Sequence, residues 1–160
     1  LTIRALAGVL LFCGEELLMM KRGSGRELSP GLWANIGGHV ERNESAFPAS
    51  AALRELSEET GIRPEQIQGL FLRYIVLQRE GDELHVFYDF TASCTEKPPL
   101  LPNDEGELHW VPIKDVLSLD MPESLCLLLR HYFSKPFEKK TLVGIMGNKA
   151  GVPEITWHTL

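Results

Sequence analysis

The sequence predicts a mixed α+β fold, an α/β/α sandwich on a mixed β-sheet, and three observations support it. Short apolar, β-branched and aromatic runs recur along the chain. Two longer segments carry helical spacing. The runs interleave with the helices rather than standing apart from them. At 160 residues, 44% apolar and 24% charged, the chain suits one domain with a good core. A single domain is expected over residues 1–160, its core spanning about 5–133 and a C-terminal extension occupying 137–160.

Ala5 to Phe12 and Glu16 to Lys21 are short apolar runs around Cys13-Gly14-Glu15, which reads as a β-hairpin. From Arg22 to Leu32 the chain is polar and Gly-rich, with Pro30-Gly31 as a turn signal. Trp33 to Ile36 reads as one short strand leading into Gly37-Gly38, and His39 to Ser45 as strand and loop. Pro48 suits the first turn of a helix, where its missing N–H costs nothing. Ala49 to Glu59 is then rich in helix formers, with Ala52 and Leu56 on the face away from Arg54 and Glu58. Gly61 caps it in the αL conformation and Pro64 prevents its continuation. Leu70 to Gln78 and Leu84 to Ala92 form a second hairpin around Glu80-Gly81-Asp82-Glu83. Ser93 to Glu107 is loop, His109 to Val111 a short strand, and Pro112 to Leu117 a turn toward a short helix. Pro122 to Phe133 is a helix burying Leu125, Leu128, Leu129 and Tyr132. Thr141 to Met146 and Glu154 to His158 form a terminal hairpin, read as a sheet extension.

The net charge of −6 offers no broad attraction to nucleic-acid polymers or anionic membranes. The apolar run Leu6 to Cys13 is too short for a membrane span and lacks a cleavage segment, so a strand is the better reading. Cys13, Cys94 and Cys126 are odd in number and far apart in sequence, with no Cys-x-x-Cys pair. Neither a zinc site nor a disulfide framework is indicated, and a reducing, cytoplasmic compartment is expected.

The chemistry concentrates in Gly37 to Ile62, GGHVERNESAFPASAALRELSEETGI. On a helix, Glu55, Glu58 and Glu59 stand at i, i+3 and i+4 on one face. Two unit charges roughly 4 Å apart repel by about 4 kcal/mol at an effective dielectric near 20. Solvent, protons or a hard cation must relieve that repulsion. Oxygen ligands suit Mg²⁺, or Mn²⁺ in its place, and Mg²⁺ commonly shares its shell with substrate phosphates. A helix with one Arg and three Glu is by itself an ordinary solvated face. Gly37-Gly38, Thr60-Gly61 and Trp33 around it make the pattern specific.

That run resembles the signature box of the Nudix hydrolases. Gly38, Glu44, Arg54, Glu55, Leu56, Glu58, Glu59, Gly61 and Ile62 fill its places. The departure is a spacing of nine rather than seven residues between Glu44 and Arg54, placed in or beside SAFPAS ahead of the helix. The resemblance implies the sandwich fold, a divalent metal and hydrolysis of a P–O–P link. It implies that Glu58 and Glu59 are metal ligands, with Glu55 a further ligand or the base and the Gly37 carbonyl completing the set. Arg54 then orients Glu55 or Glu44, and Glu44 and Gly38 support the site from behind. By the same resemblance an acidic residue from a distant loop reaches the metal. Of Asp104, Glu105 and Glu107, Glu105 has the most family-like offset from Trp110. Arg22, Trp33 and His39 are the expected substrate contacts, Phe87 is a further candidate for stacking, and Arg73, Tyr74 and His85 are placed along the same cleft.

The function implied is Mg²⁺-dependent cleavage of a nucleoside diphosphate derivative, first a nucleoside triphosphate such as 8-oxo-dGTP. ADP-ribose, a sugar nucleotide or a dinucleoside polyphosphate is the alternative. Leu77-Gln78-Arg79-Glu80 holds neither the proline nor the tyrosine that some members acting on those compounds carry there. A nucleotide-sensing module without catalysis is the reading of another class, and retention of every box carboxylate speaks against it. The partner expected is a small nucleotide, bound by a monomer or homodimer.

Overall fold

A computed structural model describes residues 1–25 and 31–160. Nine strands form one mixed sheet among the described residues: β1 (Thr2–Cys13), β2 (Glu16–Arg22), β3 (Trp33–Ala34), β4 (Ile36–His39), β5 (Gln68–Glu80), β6 (Glu83–Cys94), β7 (Gly106–Pro112), β8 (Leu142–Lys149) and β9 (Val152–Thr159). The helices are α1 (Pro48–Thr60), the single-turn α2 (Ile113–Val116) and α3 (Glu123–Ser134). The order across the sheet is β3-β2-β1-β6-β5-β8-β9, with β4 paired to β1 and β7 to β2. This is the α/β/α sandwich that the alternation of strands and helices predicts.

The alternation of side chains along the strands assigns them to two layers. Val9, Leu11, Leu18, Met20, Ile36 and Phe90 face α1, where Ala51, Ala52 and Leu56 meet them. Leu10, Leu17, Met19, Tyr74 and Val76 face α3 and pack on Leu125, Leu128 and Leu129. Each fully buried aliphatic side chain contributes roughly 1.5–3 kcal/mol of transfer free energy. Tyr132 is only half-buried, its ring stacked on Phe12 at 5.1 Å between centroids.

Two expectations need correction. The first hairpin persists only at its turn, through Phe12↔Leu17 and Cys13↔Glu16. Beyond it the strands fork, because β4 occupies the edge of β1 from Leu6 to Val9 and β7 runs along the whole of β2. The other edge of β1 pairs in parallel with β6 over its full length, so β1 is central. Close approach of glycines permits the β1–β4 contact: a Cβ on Gly37 would sit 2.7 Å from the Gly8 Cα. The expected single strand at Trp33 to Ile36 is also split, with a break at Asn35 between β3 and β4.

The terminal hairpin extends the sheet, β8 lying parallel to β5 and pairing antiparallel with β9. Cys13 and Cys94, distant in sequence, are opposite one another in the β1–β6 register as buried free thiols. No helix among the described residues is long and apolar enough to cross a membrane. Pro30 of the expected Pro30-Gly31 turn lies outside the described residues.

Candidate metal and diphosphate site

Helix α1 positions the acidic cluster. Pro48 stands in its first turn, and Ala51, Ala52 and Leu56 anchor it to the sheet. Its end is fixed where Gly61 takes φ +78° and donates its N–H to the Ser57 carbonyl. Thr60 Oγ1 donates to the Leu56 carbonyl and accepts from the Ile62 N–H. The helix is therefore held at both ends, and Arg54, Glu55, Glu58 and Glu59 project from a rigid element.

Arg54 is the hub of the cluster. Its Nε donates to Glu44 Oε1 at 2.7 Å and its Nη2 to Glu44 Oε2 at 3.1 Å, a two-pronged pair. Its Nη1 donates to Glu55 Oε1 at 2.9 Å and Glu58 Oε2 at 3.0 Å, while Nη2 also reaches the His39 carbonyl at 3.0 Å. The guanidinium is held firmly protonated, chiefly by Glu44. Glu44 sits on a 3₁₀ turn over Arg42–Glu44 and also accepts the Glu41 N–H at 3.1 Å. Its carboxyl is held below the usual range by the Arg54 hydrogen bonds and then by the Glu41 N–H. Despite the longer spacing, Glu44 meets Arg54.

Glu59 has the opposite electrostatics. Only 7% exposed, it accepts a long hydrogen bond from the Gly37 N–H at 3.3 Å. Burial, then the charge and hydrogen-bonding demand of Glu105, push its carboxyl up to about 9. Glu55 is also raised, by burial first, against the lowering effect of Arg54; Glu58 and Glu105 add to the rise. Gly38 lies directly beneath Glu55, and a Cβ there would come within 2.5 Å of the carboxylate. Glu105 arrives from the 95–105 loop, which is pinned to α1. Asn103 Nδ2 donates to the Glu59 carbonyl, Asn103 Oδ1 accepts the Glu105 N–H, and the Leu101 N–H meets the Thr60 carbonyl. The structure thus brings Glu55, Glu59 and Glu105 together. Glu107 is instead on β7 beside His109, at 3.2 Å.

Among the described residues no three His, Cys, Asp or Glu side chains already close around an ion position. The donor set nonetheless fits Mg²⁺. Its donors are oxygens, two of its carboxylates have raised proton affinity, and Mg²⁺ retains water and phosphate oxygens where protein ligands are few.

Beside the cluster opens a cleft of about 720 Å³, bounded by Gly37, Gly38 and His39 near the acids and by Ser124 and Leu125 of α3. Arg22 and His39 line it as expected, and so do His85 and Phe87. Trp33 does not join them: its ring packs on the α3-side core and on His109, 5.3 Å between centroids. Tyr74 and Arg73 also require correction. Tyr74 is fully buried, its hydroxyl 2.8 Å from His131 Nδ1. Arg73 is 1% exposed and donates to the carbonyls of Lys140 and Lys135. An irregularity in the β5–β6 register between Leu72 and Tyr74 accompanies that shift. Sequence reasoning missed Asn35, Asp89 and Gln78 on the cleft wall. A carboxylate inside the apolar run VFYDFTA was the available signal for Asp89. Asn35 carried none.

This sandwich, with its acidic helix following a Gly-Gly strand, is of the class defined by the NUDIX domain, whose family model matches residues 2–133. The chain belongs to the Nudix hydrolase family. It is 31% identical over 140 residues to an isopentenyl-diphosphate Δ-isomerase of Cereibacter sphaeroides, covering 82% of this chain and 77% of that protein. The mutator MutT protein of Bacillus halodurans shares the fold at a TM-score of 0.69, with 22% identity over 97% of this chain and 96% of the other. A Caenorhabditis elegans Ap4A hydrolase does so at 0.68, with 20% identity over 82% and 96% of the two chains.

Proposed function

We propose that the protein is a Mg²⁺-dependent hydrolase that breaks the P–O–P link of a nucleoside diphosphate derivative, with a nucleoside triphosphate the leading substrate. The observation that carries this reading is the meeting of Glu55, Glu59 and Glu105 at the edge of a cleft floored by Gly37 and Gly38. Glu58, Glu59, Glu55, Glu105 and the Gly37 carbonyl are the groups proposed to hold the ion. When bound, Mg²⁺ neutralises phosphate oxygens and lowers the pKa of water. The chain's own part is to position the acids and to accept a proton. Arg54 aims Glu55 and Glu58 while Glu44 braces Arg54. Glu55, with its raised proton affinity, suits removal of a proton from the attacking water. Arg22 and His39 serve the phosphates at the mouth of the cleft. A cytoplasmic location fits the free thiols.

Phosphate release from a nucleotide panel with Mg²⁺ tests the proposal, with ADP-ribose and dinucleoside polyphosphates included and products identified. Wild type is expected to turn over a nucleoside triphosphate and Glu58→Gln to lose most of that activity. Tight binding without turnover in any divalent metal would convert the reading to a sensing module. The similarity to an isomerase of a prenyl diphosphate motivates a second reading. Incubation with isopentenyl diphosphate separates the two, since isomerisation moves a double bond and frees no phosphate.

A further inference from the structure

The lining of the cleft carries a polar pair that the proposed hydrolysis does not use. Asp89 of β6 is 8% exposed, and its only side-chain partner among the described residues is the Asn35 amide, Nδ2 to Oδ1 at 3.4 Å. Both residues line the cleft. The pair depends on a glycine in the central strand. Gly8 lies opposite Asp89 in the β1–β6 register, and a Cβ there would stand 2.8 Å from Asn35 Nδ2 and 2.7 Å from the Ile36 carbonyl oxygen. Glycine inside a strand is destabilising relative to alanine, through the greater backbone freedom it loses on folding. Here it leaves the space in which Asn35 lies over β1 and meets Asp89.

Among the described residues, two oxygens of this pair accept no hydrogen bond: Oδ2 of Asp89 and Oδ1 of Asn35. Neither is a sealed, unpartnered atom; among the described residues only Arg73 Nε is. Both are therefore open to the cleft. Burial pushes the Asp89 carboxyl up to about 7 against the weak lowering by Asn35, so the site is short of hydrogen-bond donors.

We propose that Asn35 and Asp89 are specificity-determining residues that read the base of the nucleotide, their two open acceptor oxygens selecting an edge with adjacent N–H donors, as guanine presents. The proposal rests on the nucleotide reading above and deepens it. Adenine turns a ring-nitrogen acceptor toward the same oxygens and is repelled. Hypoxanthine, with one N–H on that edge, falls between.

Calorimetric binding of GMP, IMP and AMP at about pH 8, where the carboxyl is charged, reads the base without any need for turnover. Wild type should bind GMP about tenfold or more tightly than AMP, with IMP intermediate, because a site built for hydrogen bonds rejects an analogue that lacks them. Asp89→Asn keeps the acceptor that meets Asn35 and turns an NH₂ to the cleft, so the GMP preference should collapse or reverse toward AMP. Asn35→Ala should weaken the preference, with its fold checked by circular dichroism. Equal binding of GMP and AMP by wild type, an unchanged ratio in both variants, or binding of neither nucleotide overturns the proposal. A retained GMP preference without phosphate release from GTP would remove the hydrolase reading alone.

Discussion

Two carboxylates of the same cluster respond to pH in opposite directions because their partners differ. Glu44 has the Arg54 guanidinium and a folded-state pKa below 4.5, so its contribution to stability is present above that value and is lost as pH falls. Glu59 has burial and another carboxylate, and a folded-state pKa near 9 against 4.5 when unfolded. Between those limits the folded state holds a proton that the unfolded state has released, so stability falls as pH rises through that window. Denaturation of metal-free protein across a pH series should show this decline. Glu59→Gln should flatten it, with a gain on the order of 2 kcal/mol at the alkaline end. No change in slope would mean that Glu59 is not the titrating group. Arg54 makes five side-chain hydrogen bonds to three carboxylates and one backbone carbonyl. Lysine keeps the charge but not the fork. Arg54→Lys is therefore expected to lower turnover by about 10–100-fold while leaving the melting temperature nearly unchanged. Equal turnover by the two proteins in a phosphate-release assay would reduce Arg54 to a surface ion pair.

At the scale of elements, two glycines bound the acidic helix for different reasons, and substitution separates them. Gly61 is at φ +78°, and a Cβ there would overlap the Leu101 side chain at 2.5 Å. Gly61→Ala should cost about 1–3 kcal/mol in a denaturant melt without touching the acids directly. Gly38 has no positive φ, and what it accommodates is the Glu55 carboxylate itself. Gly38→Ala should leave most of the stability intact and abolish the thermal shift produced by Mg²⁺. Helix α1, its αL cap and the β5–β6 hairpin were legible because each is written locally, in Pro48, Gly61 and the turn at Gly81-Asp82. The fork between β1 and β2 was not legible. Which strand takes the edge of β1 is decided by Gly8 and Gly37 packing together across the sheet, a contact between distant segments. The same distinction divides the site. Glu55, Glu58 and Glu59 declare their shared face by helical spacing, whereas Asn35 and Asp89 meet across 54 positions. The sequence pattern places Arg73 and Tyr74 along the cleft because strand alternation alone cannot reveal the irregularity beside them.

For the whole molecule, metal and fold are linked by mass action. Mg²⁺ at about 100 times its dissociation constant should stabilise the protein by about 2.7 kcal/mol, and Glu59→Gln should remove most of that gain. The melting temperature with and without Mg²⁺ gives the answer, and an identical response in wild type and variant excludes Glu59 as a ligand. One further consequence concerns how the sheet is assembled. Every residue of β1 meets a β6 partner far along the chain, from Thr2 with Glu83 to Cys13 with Cys94. Closing so long a loop is entropically costly, and parallel pairing of this kind is slow to form. Until β6 is in place, β1 presents Val9 and Leu11 on one face, Leu10 on the other, and a bare row of peptide groups along one side. A fragment that stops before residue 83 would leave that edge of β1 permanently unpaired, carrying the complete acidic helix and yet prone to aggregate.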